Sequence, residues 1–183
     1  DIDYLYKILQ NYMNDKDVKP FRKIYISRKN IQPRNYPKQK PGLMFNSDNR
    51  INNEEKLEEY FTSCGFEIIC PEDFDDFVEQ LNYFYEAKTI VSLTSSGMTN
   101  AIFMQPGGTM IELITPLVLA LGDPYGELEI DAEDWLHHLY QIMSYTKRHT
   151  YVGIPNYDRD PETIKSSIKN NEYLSNMIKE ETL

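Results

Sequence analysis

Residues Thr89–Thr115 read TIVSLTSSGMTNAIFMQPGGTMIELIT. The β-branched run Thr89–Leu93 stops at four small residues, Thr94-Ser95-Ser96-Gly97. A short helix is predicted from Gly97 to Met104, ended by the turn Pro106-Gly107-Gly108. A second apolar run, Thr109–Ile114, carries the acid Glu112. The order is strand, small-residue loop, helix, turn, strand, acid. A loop that opens a helix presents N–H groups with no intrahelical partner, which suits a phosphate. An acid beyond the next strand can accept from ribose hydroxyls, so the unit is expected to hold a nucleotide.

The same alternation extends outward. Residues 2–14 have the three-to-four spacing of an amphipathic helix, and Lys23–Ser27 is a β-type run. Arg28–Asn49 is a long polar loop with Pro33, Pro37 and Pro41. Asn52 or Asn53 is expected to cap a helix that Gly65 ends near Cys64. Phe66–Cys70 reads as a strand, Asp73–Glu86 as a helix, and Lys88–Leu93 as a central strand apolar on both faces. Gly122–Glu129 reads as loop, Asp131–Ser144 as a helix, Tyr151–Ile154 as an edge strand, and Pro161–Lys179 as one C-terminal helix behind Asp160. Strands alternating with helices predict an α/β fold, a Rossmann-like doubly wound parallel sheet covered on both faces. The expected organisation is a helix and linker over 1–20, a nucleotide-binding domain over 21–155 and a helical extension over 156–183.

The bulk numbers bound the partners. At 183 residues, 40% of them hydrophobic, the chain is long enough for one domain-sized core. A net charge of −10 argues against nucleic acid, whose phosphates need an excess of Lys and Arg. Residues 16–50 are nonetheless basic, as a local anion site would be. No run of about 18 apolar residues is present, so no transmembrane segment is expected. Nor is there a secretory signal, and a cytoplasmic location is the expectation. Cys64 and Cys70 have no metal-motif spacing.

Beside the Thr94–Gly97 loop and Glu112, two arginines are candidates for a diphosphate. Arg28 follows the first strand and Arg50 precedes a helix, and guanidinium forks match phosphate oxygens. His137 and His138 point about 100° apart on a helix, so with His149 they make a poor metal site. The acids Glu72, Asp73, Asp75 and Asp76 lack the glycine and spacing of a calcium loop. No metal site, cofactor or catalytic residue is therefore predicted.

Seven segments, KIYISR (Lys23–Arg28), RINNEE (Arg50–Glu55), CGFEIICPEDF (Cys64–Phe74), EQ (Glu79, Gln80), AKTIVSL (Ala87–Leu93), SGMTNAIFMQPG (Ser96–Gly107) and MIEL (Met110–Leu113), stand in one order. In that order, over about residues 21–155, the chain resembles the family 61 glycosyltransferases. The resemblance implies inverting transfer of a sugar from a nucleotide donor, a UDP-sugar by preference, to an acceptor hydroxyl of a glycan or glycoprotein, without a required metal. It implies one lobe of a GT-B fold, the C-terminal donor-binding lobe, with an acceptor lobe elsewhere. It also implies donor-binding roles for Arg28, Arg50, Thr94, Ser95, Ser96, Gly97, Thr99, Asn100 and Glu112. Where the family carries His-Gly-Ala-Gly, this chain has Thr94-Ser95-Ser96-Gly97. The lost imidazole leaves open a module that binds nucleotide without transfer, or a structural interaction domain on the same fold.

Overall fold

The computed structural model describes residues 7–8, 10–12, 17–29, 51–114, 132–156, 158 and 160–179, with the backbone alone at 10 and 132–139. Its strands are β1 (Arg22–Ile26), β2 (Glu67–Ile69), β3 (Ala87–Leu93), β4 (Thr109–Ile114) and β5 (Thr150–Pro155). They form one sheet in the order β2-β1-β3-β4-β5, and every neighbouring pair is parallel. That order belongs to the doubly wound class, so the expected Rossmann-like α/β sheet is present. The chain moves from β1 to one edge, then returns past β1 to β3. The carboxyl ends of β1 and β3 therefore flank the switch point, where ligands of such sheets bind.

Side-chain alternation along the strands builds two cores. Ile24, Ile26, Ile90 and Met110 face Phe84, Met98, Ala101, Met104 and Tyr140 on one side. Tyr25, Val91, Leu93, Ile111 and Leu113 face Leu57, Phe61, Ile164, Ile168, Leu174 and Ile178 on the other. The helices that supply these residues are α1 (Glu55–Ser63), α2 (Phe77–Tyr85), α3 (Ala132–Lys147), α4 (Pro161–Asn170) and α5 (Glu172–Lys179), with Met98, Ala101 and Met104 coming from a 3-10 helix over Ser96–Phe103 and its end. The C-terminal helices thus complete the same core as α1.

Helix ends show where local signals held and where they did not. Gly65, at φ 79°, ends α1 as expected. Phe66 N–H bonds Phe61 O and Gly65 N–H bonds Thr62 O, a Schellman arrangement. The start differs: Asn53 does not cap α1 but sits at φ 53°, and Glu54 takes the cap position with no side-chain cap bond. Glu54 instead accepts from Tyr25 Oη at 3.0 Å. The α2 helix begins later than expected because Asp76 caps it, accepting from Glu79 N at 2.8 Å, behind a 3-10 turn at Pro71–Asp73. The predicted helix Pro161–Lys179 is two. Asn171 is extended, and its Oδ1 accepts from Leu174 N at 3.1 Å, which starts a new helix. The predicted helix over 2–14 falls largely, and the loops from 30 and over 122–129 wholly, outside the described residues.

His149 marks the amino-terminal edge of the sheet, away from the switch point. It is 8% exposed, and neither ring nitrogen has a hydrogen-bond partner among the described residues. Burial pushes its pKa down to about 4, with the Lys147 charge adding to the fall and the Ala101 carbonyl opposing it. An unfolded histidine binds its proton near pH 6.5 and the folded one resists it to about pH 4. Stability from this group is complete above pH 6.5 and is lost as pH falls to about 4. The loss is about 2 to 3 kcal/mol, discounted for partial solvent contact. His149→Gln should flatten that slope in urea titrations at pH 7, 5.5 and 4.5. Parallel slopes for the two proteins would refute the assignment.

Candidate functional site

Four elements converge at the carboxyl ends of β1 and β3. The strand β1 ends in Ser27 and Arg28. Ser27 donates its hydroxyl to Glu58 Oε1 at 2.5 Å, which ties the strand end to α1. Arg28 is half-buried, and its Nε, itself buried, has no hydrogen-bond partner among the described residues. Burial lowers its pKa, against the pull of Glu54 and Glu72 nearby. Burial raises the Glu54 carboxyl, while its bond from Tyr25 opposes the rise. The guanidinium therefore stands at the switch point with hydrogen-bonding capacity unused, a cost to the fold unless something anionic meets it.

The strand β3 ends in the loop singled out by its sequence. A 3-10 helix, not an α-helix, runs from Ser96 to Phe103. Local side chains explain the tighter winding. Thr99 Oγ1 donates to Ser96 O at 2.6 Å and Asn100 Nδ2 to Gly97 O at 2.9 Å, so both take carbonyls of the first turn. Asn100 Oδ1 accepts from Gln80 Nε2 of α2 at 2.5 Å. Two of the sequence segments, Glu79-Gln80 and Thr99-Asn100, thus meet in one contact that fixes the loop. Gly97 is required by packing. A Cβ there would lie 2.9 Å from Ile26 Cγ2 and near Pro71. Among the described residues nothing accepts from the N–H groups of Ser95, Ser96 and Gly97.

The third element is β4. Glu112 was expected to end this strand. It is instead the fourth of six residues, with Leu113 and Ile114 after it, and is 0% exposed. It accepts from Thr94 Oγ1 at 2.5 Å through one oxygen and from Tyr151 Oη of β5 through the other. The register explains this meeting. Ser92 pairs with Glu112, and Glu112 with Gly153, so Thr94 and Tyr151 approach it from either side. Burial and then the adjacent carboxylate raise the Tyr151 phenol well above its usual range, so it stays a donor. The fourth element is α3, whose Tyr140 Oη donates to Ser95 O at 2.6 Å.

Proton direction divides the site chemically. The Thr94 and Tyr151 hydroxyls give their protons to Glu112, and their oxygens keep only lone pairs for anything else. That wall accepts hydrogen bonds and repels phosphate. Around β1 and the loop, the Arg28 guanidinium and three N–H groups only donate. Donors over β1 and β3, acceptors over β4 and β5, fit a molecule with an anionic part and a hydroxyl-bearing part.

The nine predicted site residues are thus placed as follows. Arg28 and the Ser95–Gly97 backbone line the donor side, and Ser96 is exposed there. The Ser95 hydroxyl turns inward to Ser92 Oγ at 3.2 Å. Thr94 and Glu112 belong to the acceptor wall, and Thr99 and Asn100 fasten the loop. Arg50 lies outside the described residues. Sequence reading missed Tyr140, Tyr151, Glu54 and Gln80. The prior signals among them were the segments RINNEE, which contains Glu54, and Glu79-Gln80; Tyr140 and Tyr151 act through contacts far apart in sequence. Among the described residues no three His, Cys, Asp or Glu side chains gather as a metal would need, and no helix is long and apolar enough to cross a membrane. The side chains of His137 and His138 are outside the described residues, and His149 is at the far edge of the sheet.

Comparison with known proteins gives this geometry a family. Residues 1–111 match the model of glycosyltransferase 61. The match begins and ends earlier than the resemblance implied, taking in β1, β2, β3 and the loop and stopping just before Glu112. No curated protein matches the chain. With more than half its length matched, the chain carries a glycosyltransferase domain and belongs to the glycosyltransferase 61 family.

Proposed function

We propose that this unit binds the nucleotide-sugar donor of an inverting glycosyl transfer. The observation that carries the reading is Arg28, a half-buried side chain at the switch point whose buried Nε has no partner among the described residues, beside three N–H groups that likewise have no acceptor among them. In the reading, the diphosphate lies over Arg28 and the Ser95–Gly97 backbone, with Arg50 as a second phosphate ligand. Hydroxyls of the donor face the acceptor wall at Tyr151, whose proton, like that of Thr94, is held by the buried Glu112. The bond from the sugar's anomeric carbon to the phosphate oxygen breaks as an acceptor hydroxyl, from a glycan or glycoprotein, attacks the opposite face. The acceptor's proton passes to a general base outside the residues assigned here. The negative charge left on the diphosphate is met by the guanidinium and the N–H groups, preorganised as an oxyanion hole is, and no metal is required for it. A UDP-sugar is the favoured donor, and an acceptor lobe of a GT-B enzyme would complete the site.

A second reading, binding without transfer, is favoured by one feature. Thr94 stands where the family carries an imidazole, and its proton is committed to Glu112, so it cannot donate to the leaving phosphate in that residue's place. Donor hydrolysis or transfer by the protein, against binding alone, separates the two readings.

Arg28→Ala should weaken binding of both UDP and inorganic pyrophosphate about ten- to a hundredfold by calorimetry, the worth of a charge-assisted hydrogen bond or two. Arg28→Lys should recover part of it, since an ammonium keeps the charge but not the fork. Equal affinities in wild type and Arg28→Ala would sink the reading.

A further inference from the structure

We infer that the cavity beside the edge strand β2 receives the nucleobase of the donor, an assignment that rests on the nucleoside-diphosphate reading above. The cavity has a volume of about 240 Å³. Whole drug-sized ligands occupy pockets of roughly 300–1,000 Å³, so this one takes a single ring system rather than a nucleotide sugar. Its walls include Ile69, Phe74 and Tyr83, and its polar lining includes Lys29, Asp73 and Glu79. The two rings pack edge to face at 5.2 Å.

Position and chemistry both point to a base. Lys29 directly follows Arg28, and Cys70, which also lines the cavity, directly follows β2. The cavity therefore runs along the edge of β2, from Tyr83, whose phenol donates to Glu67 at the start of that strand, to Lys29 and Cys70 at the carboxyl ends of β1 and β2, next to the group proposed to hold the diphosphate. It lies on the opposite side of that group from the acceptor wall of β4 and β5. A nucleotide sugar has the same layout, with base on one side of the diphosphate and transferred sugar on the other. Flat apolar walls accept a ring face. Carboxylates at Asp73 and Glu79 accept from ring or exocyclic N–H, and the Lys29 ammonium donates to a ring carbonyl. Nucleobases carry such edges, and a sugar lacks the planar ring and the N–H groups. The hydroxyl-rich part of the donor finds its match at Tyr151 instead.

The test is calorimetry on the full 183-residue chain with UDP, CDP, GDP and inorganic pyrophosphate, for wild type, Glu79→Gln, Lys29→Ala and Phe74→Leu. Glu79 and Lys29 are exposed, so their variants keep the fold, and melting temperatures check Phe74→Leu. The expected result is a fivefold or greater loss of affinity for at least one nucleoside diphosphate in two of the three variants, with pyrophosphate affinity unchanged. Unchanged nucleoside diphosphate affinities in all three variants would overturn the assignment while leaving the diphosphate reading intact. So would loss of affinity for a UDP-sugar without loss for UDP, which would give the cavity to the sugar. Failure of the wild type to bind any of the four probes would remove the diphosphate reading itself.

Discussion

Glu112→Ala is expected to lose about 3 to 5 kcal/mol of unfolding free energy, the largest effect of any single change at the site. The carboxylate is 0% exposed and accepts from Thr94 and from Tyr151. Hydrogen bonds to a charged group contribute about 1.5 to 3 kcal/mol each, and truncation leaves two hydroxyls facing a void. Tyr151→Phe should cost less, about 1 to 2 kcal/mol, because Glu112 keeps Thr94. Urea unfolding of Thr94→Val, Tyr151→Phe and the double variant should show non-additive losses, since both hydroxyls act on one carboxylate. A loss below about 1 kcal/mol for Glu112→Ala would mean that the acceptor wall does not hold the loop to the sheet.

Lys23→Met is expected to lose about 2 to 3 kcal/mol and to loosen the C-terminal helices first. Lys23 is 8% exposed. Its Nζ donates to Cys64 O at 2.7 Å and to Ile178 O at 2.6 Å, and lies 4.8 Å from the centre of the Phe66 ring. One ammonium thus meets carbonyls at the C-terminal ends of both α1 and α5, where the helix dipoles favour a cation. Methionine keeps the apolar stem but leaves those two carbonyls without the charge. Amide exchange in α5 should accelerate more than in β3. Lys165→Met, at an ion pair with Glu162 one turn along the helix surface, is the control and should change stability by less than about 0.5 kcal/mol. Equal, small effects of the two changes would show that Lys23 does not tie the helices to the sheet.

Much of the fold was legible because it is written locally. The strands announced themselves as β-branched or apolar runs, and Gly65 and Asp160 marked helix ends that the structure keeps. Local signals failed where a side chain had a distant partner. Glu54 gives its oxygen to Tyr25 rather than to its own helix, and Asn100 donates its amide N–H to Gly97 O while its Oδ1 accepts from Gln80, which tightens the helix to 3-10 winding. The break at Asn171 was visible as an Asn-Asn pair, yet the apolar spacing on either side of it read as continuous.

The site divides along the same line. Sequence by itself determined the parallel α/β sheet, the loop Thr94–Gly97 at the end of its central strand, and Arg28 on the same edge. These follow from periodicity, turn residues and chain order, which are properties of neighbours in sequence. Only the tertiary structure decided which groups retain hydrogen-bonding capacity for a ligand. Glu112 looked available as an acid and is fully used by Thr94 and Tyr151, residues 18 and 39 positions away. Thr94 looked like a phosphate donor and has its proton committed. Gly97, in the loop read as a phosphate site, makes room for Ile26. The physical reason is that a hydrogen bond spends a specific proton or lone pair. Which one is spent depends on strand register and packing between residues that the sequence keeps far apart.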